Sequence, residues 1–220
     1  MSAQNGLILA IDAAGPRAGV ALTDEAGAPS VRLVAEARTG LTEILPQLMA
    51  SALARVDVAP ALVAVTVGPG SFTGLRSAIA VAQGYAAATG LPLWGVNVGE
   101  AFNAAFPMPH RPLWIAIRAR RGRIFLIRDG VAEAFADADV PGIATPIALA
   151  GDAAKEVAAR LAATGHDVLL TNARLVDPIW VARAALARRA AGLPAHPAQP
   201  VYVDPPEAKL PANGPRPQPA

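Results

Sequence analysis

Residues 7–12, Leu-Ile-Leu-Ala-Ile-Asp, are apolar up to the closing acid, the pattern of a strand covered on both faces. A turn at 13–16 leads to residues 17–23, whose alternation predicts a returning strand, and a second turn at 24–29 leads to a third strand over 31–37. The period then changes. Leu41, Ile44, Leu45, Leu48, Met49, Ala52 and Leu53 recur at helical spacing over 42–53 and cover about half of a helix, wider than the stripe of roughly 100° that one sheet hides. An apolar run at 61–67 predicts a buried strand, 72–89 a helix, 92–96 a fifth strand and 99–106 a short helix ended by Pro107 and Pro109. The order is β-β-β-α-β-α. Residues 113–118 and 123–128 read as two further strands, 152–163 as a helix ended by Gly165, and 177–191 as a final helix ended by Gly192. The second half thus reads as a smaller repeat of the first. The expected division is 1–97 for the first subdomain, 98–203 for the second, including the helix at 177–191, and 204–220 for a tail. Six prolines in residues 204–220 and almost no apolar bulk predict disorder there.

The junction between the fourth strand and its helix, Val65-Thr66-Val67-Gly68-Pro69-Gly70-Ser71-Phe72-Thr73-Gly74-Leu75-Arg76, is the most informative stretch. Three enzyme motifs come near it and fail. A phosphate-binding Walker loop needs Lys and a hydroxyl after its last glycine, where Leu75 and Arg76 stand. Gly68, Gly70 and Gly74 are one residue too widely spaced for a dinucleotide fingerprint, and no acid ends the next strand. A nucleophile elbow around Ser71 lacks both flanking glycines, so Ser71 reads as a helix cap. Gly74, Ala78 and Ala82, at successive i+4 positions, form a stripe with little side chain on which another helix can approach closely. The expectation is a docking surface for a partner made by Leu45, Leu48, Gly74, Ala78 and Ala82.

Composition narrows the class. The 220 residues are 53% hydrophobic, enough for a full core, and no stretch of about 18 apolar residues appears. Residues 1–6 are too short for a signal peptide before the first strand, so the expected location is the cytoplasm. With no cysteine, the chain has no disulfide, thiolate metal site or thiol nucleophile. His110, His166 and His196 lack helical metal-ligand spacing. Formal net charge is +2, but Arg118, Arg120, Arg121, Arg123 and Arg128 cluster within eleven residues. Such a cluster is either a charged hairpin edge that resists sheet-to-sheet aggregation or a site for phosphates, with Arg120, Arg121 and Arg123 as the contact candidates.

The element order, Ile8-Leu9-Ala10-Ile11-Asp12, and above all Gly68-Pro69-Gly70-Ser71-Phe72-Thr73-Gly74-Leu75-Arg76 resemble the TsaB (YeaZ) family. Glu43-Ile44-Leu45-Pro46, Gly95-Val96, Ala119-Arg120-Arg121-Gly122-Arg123-Ile124-Phe125 and Pro200-Val201-Tyr202-Val203 extend the resemblance over about residues 7–203. It implies an α/β fold of the actin-like, Hsp70-like and sugar-kinase superfamily with two related subdomains. It also implies a non-catalytic dimerisation subunit in the synthesis of N6-threonylcarbamoyladenosine at tRNA position 37. Its partners would be a TsaD-like catalytic subunit that holds ATP and metal, a TsaE-like ATPase, and a second copy of itself when TsaD is absent. On this reading tRNA is met only through the complex, and the chain alone binds no cofactor.

Some positions depart from the family. The first turn reads Asp12-Ala13-Ala14-Gly15, without the hydroxyls that reach nucleotide phosphates in the superfamily. The histidine usual before the first helix is replaced near Gly40-Leu41, and Arg118 stands where an acid usually precedes Ala119-Arg120. The competing reading is a small actin-fold enzyme that uses a nucleotide with Asp12 as its acid. Against it, Asp12 at a strand end also suits backbone hydrogen bonding from the turn.

Overall fold

β1 (Leu7–Asp12) is buried along its whole length at the centre of a five-stranded sheet ordered β3-β2-β1-β4-β5 in a computed structural model, which describes residues 6–36, 40–106, 111–120, 122–136 and 138–203. β2 (Arg17–Thr23) and β3 (Pro29–Glu36) form an antiparallel meander on one side of it. On the other side β4 (Pro60–Gly68) and β5 (Leu93–Asn97) pair in parallel. Parallel neighbours need crossovers, and α1 (Leu41–Leu53) and α2 (Phe72–Thr89) supply them. The two faces of β1 explain its unbroken apolar run. Leu7, Leu9 and Ile11 join the core under α1 and α2, while Ile8 and Ala10 join a second core on the opposite face.

After α3 (Val98–Ala105) the plan repeats. β6 (Leu113–Arg118), β7 (Arg123–Arg128) and β8 (Val131–Ala136) make the meander; β9 (Ile147–Ala150) and β10 (Val168–Leu170) run parallel to β6, with α4 (Ala154–Ala163) as the crossover between them. The resulting sheet, β8-β7-β6-β9-β10, has the strand order of the first. β8, β9 and β10 were not predicted. β9 has four residues and β10 three, too short for a period to show, and half of β8 is alanine, which marks neither face strongly.

α5 (Pro178–Ala190) starts on an Asp177 cap, whose carboxylate accepts from the Ile179 N–H, with Pro178 in its first turn. Sequence grouped it with the second half, yet it packs on β1 and β2 of the first sheet as well as on α3. Gly19 on β2 lets it come close, because a Cβ there would stand 3.0 Å from Pro178. Its Val181, Ala182 and Ala185 share a core with Ile8, Val96 and Phe102 from the first half and with Ile115, Ile127 and Val176 from the second. One apolar core therefore joins the two sheets. The tail at 204–220 lies outside the described residues.

The small-residue stripe of α2 faces inward. Ala78 and Ala82 are 0% exposed, as is Leu45 on α1, and all three sit in the core beneath the helices. Gly74 is buried against the first turn, where an added Cβ would stand 2.1 Å from the Ala13 carbonyl oxygen. Leu48 is half-buried at the edge of the same core. The expected docking surface is thus corrected: Leu45, Gly74, Ala78 and Ala82 let α2 approach its own sheet and α1. Ala78→Trp should leave the isolated chain unfolded, and Gly74→Ala should lower its stability by about 1–3 kcal/mol in urea unfolding, the usual cost of overpacking.

Candidate interaction face and interlobe cleft

The glycine-rich junction is held backbone to backbone against the first turn. The Ser71 N–H donates to the Ala14 carbonyl at 2.7 Å, and a Cβ on Gly70 would stand 2.3 Å from that same oxygen. Ser71 Oγ accepts from the Gly74 N–H at 3.2 Å, so the serine caps α2 as its sequence position implied.

Asp12 closes β1 beside this junction and is 2% exposed. Its Oδ1 accepts from the Ala14 N–H at 3.1 Å and from the Thr66 hydroxyl at 2.7 Å. Burial pushes its carboxyl up to about 6, against the opposing pull of those two hydrogen bonds and the Arg17 charge. These partners make Asp12 a brace for the turn, as expected of an acid at a strand end.

Between the two halves, a cavity of about 20 Å³ next to this turn is lined by Ala14, Gly15, Phe102, Ile117, Asp152 and Leu175, among others. That is about the room one water needs. Burial also raises the pKa of Asp152, while the Arg118 backbone N–H, donating at 2.7 Å, pulls it down. Among the described residues no group of three or more His, Asp or Glu could hold a metal ion. His110 lies outside them. His196 meets Glu100 at 3.2 Å, where Arg188 also pairs with Glu100 at 2.6 Å.

The outer side of α2 has a second set of small residues that sequence reading passed over. Ala80, Gly84, Ala87 and Ala88 are exposed and Ser77 and Val81 are half-exposed; a Cβ on Gly84 would meet nothing within 4 Å. Arg76 carries the one charge in this 18-residue helix. A solvent-facing helix side ordinarily carries charged residues, so this one suits close contact with another surface. Ile44, Leu48 and Met49 of α1 lie half-buried on the neighbouring helix.

The arginine cluster is partly neutralised. Arg118 pairs with Glu156, and Arg128 pairs with Glu133 while lying over the Trp114 ring. Arg120 is exposed and Arg123 half-buried; Arg121 lies outside the described residues. No helix among the described residues is long and apolar enough to cross a membrane.

Residues 35–161 match the family model described as TsaD: tRNA N6-adenosine threonylcarbamoyltransferase. Over 99 residues the chain is 35% identical to uncharacterized proteins of Mycobacterium bovis and Mycobacterium tuberculosis. That stretch is 42% of this chain and 46% of each relative, so the chain spans less than half the length of the relatives it matches. Among solved structures, an uncharacterized Pseudomonas aeruginosa protein with similarity to peptidase YEAZ has a TM-score of 0.73 at 22% identity, covering 90% of this chain and 100% of that one. YeaZ from the same organism gives 0.69 at 24% identity, covering 90% and 99%. The ethanolamine utilization protein EutJ from Carboxydothermus hydrogenoformans gives 0.53 at 14% identity, covering 84% and 92%. The chain shares its fold with these three proteins.

Asp12 gives the chain a pH signature. Between its ordinary value of 3.8 and the folded value of about 6, the native state keeps a proton that the unfolded state has lost. Its contribution to stability therefore falls as pH rises through that window and stays low above it, by roughly 3 kcal/mol for a shift of this size. Asp12→Asn keeps an oxygen acceptor and removes the charge. Urea unfolding of both proteins at pH 4 and pH 7.5 should show the variant gaining on the wild type at the higher pH; a constant difference would refute the assignment.

Proposed function

The chain belongs to the TsaD family of tRNA N6-adenosine threonylcarbamoyltransferases, and on that premise we propose that it is a TsaB-like, non-catalytic dimerisation subunit of the complex that makes N6-threonylcarbamoyladenosine at tRNA position 37. The observation that carries the proposal is the outer face of α2, whose uncharged small residues let the helix of another protein approach closely. That face takes the docking role first given to the buried stripe. Its occupant is a TsaD-like catalytic subunit, and a second copy of the chain takes its place when that subunit is absent.

The small cavity beside the first turn supports the same reading. A nucleotide needs a pocket of several hundred Å³, and the cavity that the described residues form beside the first turn holds about 20 Å³. Ala13 and Ala14 offer no side-chain donors. ATP and metal are accordingly assigned to the TsaD-like partner, with a TsaE-like ATPase joining the assembly. Contact with tRNA is assigned to the complex; of the candidate arginines, Arg120 is the one exposed among the described residues. The alternative enzyme would need the Asp12 carboxylate, which is engaged by Thr66 and the turn.

Gly84→Trp should fold like the wild type, since its Cβ position is open, yet bind the TsaD-like subunit at least tenfold more weakly by calorimetry. Unchanged affinity would remove the docking role from this face. Titration of the isolated chain with Mg-ATP should give no binding in the low micromolar range. A dissociation constant there, about −8 kcal/mol, would return the enzyme reading.

A further inference from the structure

Phe72 and Tyr202 stand together at the start of α2 although 130 residues separate them, with ring centroids 5.8 Å apart and exposures of 47% and 49%. Arg76 completes the cluster. Its guanidinium lies 4.0 Å from the Phe72 ring centroid and 5.9 Å from that of Tyr202, and its Nε donates to the Tyr202 hydroxyl at 2.9 Å. Tyr202 is itself held in place. The preceding Val201 N–H donates to the Val67 carbonyl at 2.8 Å, and the Gln83 side chain donates to the Ala198 carbonyl at 3.0 Å, which lays residues 196–202 along the sheet edge and α2. A groove of about 470 Å³ adjoins the cluster, lined by Ile79, Ala80, Gln83, Ala198 and Pro200, so it runs into the outer face of α2 at Ala80.

We propose that Phe72, Arg76 and Tyr202 anchor the catalytic subunit by taking a carboxylate side chain of that partner in the guanidinium fork and an apolar side chain in the adjoining groove. This rests on the docking role proposed for α2. Stacking on Phe72 and the bond to Tyr202 fix the guanidinium, and its remaining N–H groups have no acceptor among the described residues. A fixed, planar, unpaired guanidinium matches a carboxylate in two-point contact without losing side-chain freedom on binding. Aromatic residues with arginine are also the composition of energetic centres in protein interfaces. A phosphate would fit the same fork, but nucleic-acid sites combine several cations. Among the described residues, Arg76 is the one charged group lining this groove and the one charge on α2. Those surroundings favour a protein carboxylate.

The test compares wild type, Arg76→Ala, Arg76→Lys, Tyr202→Phe and Gly84→Trp by calorimetric titration with the purified TsaD-like subunit of the same organism, after circular dichroism of each variant. Arg76→Ala and Arg76→Lys should both weaken binding tenfold or more, because lysine keeps the charge and loses the fork. Tyr202→Phe should weaken it severalfold. Wild-type affinity in both Arg76 variants, with Gly84→Trp still defective, would overturn the anchor and leave the docking face standing. Wild-type affinity in all variants would overturn both. If the Arg76 variants bind the subunit normally and the assembled complex loses tRNA affinity, the cluster is a nucleic-acid site and the proposal fails.

Discussion

Contact of backbone with backbone between the first turn and the start of α2 governs the architecture of this chain. The Ala13 and Ala14 carbonyls stand where side chains on Gly74 and Gly70 would have to be, and Ala14 also accepts from the Ser71 N–H. With no room for a Cβ, α2 is seated directly over β1 and β4, and the small residues that continue its inner side, Ala78 and Ala82, keep that spacing along the helix. The same contact draws Asp12 out of water. Its carboxylate then depends on Thr66 and the turn for hydrogen bonds, which leaves it braced in place.

Much of this was legible in the sequence because apolar period and glycine punctuation are local signals. β1, β2, α2, β6 and β7 begin and end where the pattern placed them, and the repeated plan of the two halves could be read from their order. What failed was direction. An alanine-rich helix has small residues on every side, so pattern alone gives no means of telling the inward stripe of Gly74, Ala78 and Ala82 from the outward one of Ala80, Gly84 and Ala87. Space for a Cβ decides it: Gly74 has none, while Gly84 has nothing within 4 Å. Contacts distant in sequence were equally hidden. Nothing local links Tyr202 to Phe72, or Arg118 and Arg128 to the glutamates that partly neutralise the basic cluster. The return of α5 to the first sheet belongs to the same class, since its apolar residues announce a buried face and not whose face it meets.

The core shared by both sheets bears on what the chain can do. Phe102, Ile115, Ile127 and Val176 fill the space between the halves, where a two-lobed nucleotide-binding protein needs a gap that opens and closes. Opening it here would expose apolar surface at a cost of about 25 cal/mol per Å². That cost favours the packed arrangement of the two halves.

An outward face made of alanine and glycine reconciles two demands on such a surface. Each small side chain exposes little apolar area, so the face stands in water without the broad hydrophobic patch that invites aggregation. A smooth face also lets a partner helix come close, but many weak contacts give little discrimination among partners. The Phe72, Arg76 and Tyr202 cluster lies at the end of that face, where large rings and a fixed charge supply the directional contacts it lacks. Because Tyr202 belongs to the strap over residues 196–202, the end of the described chain helps form the surface that begins α2. Loosening the strap should therefore loosen the anchor and leave the buried side of α2, with its own core contacts, in place.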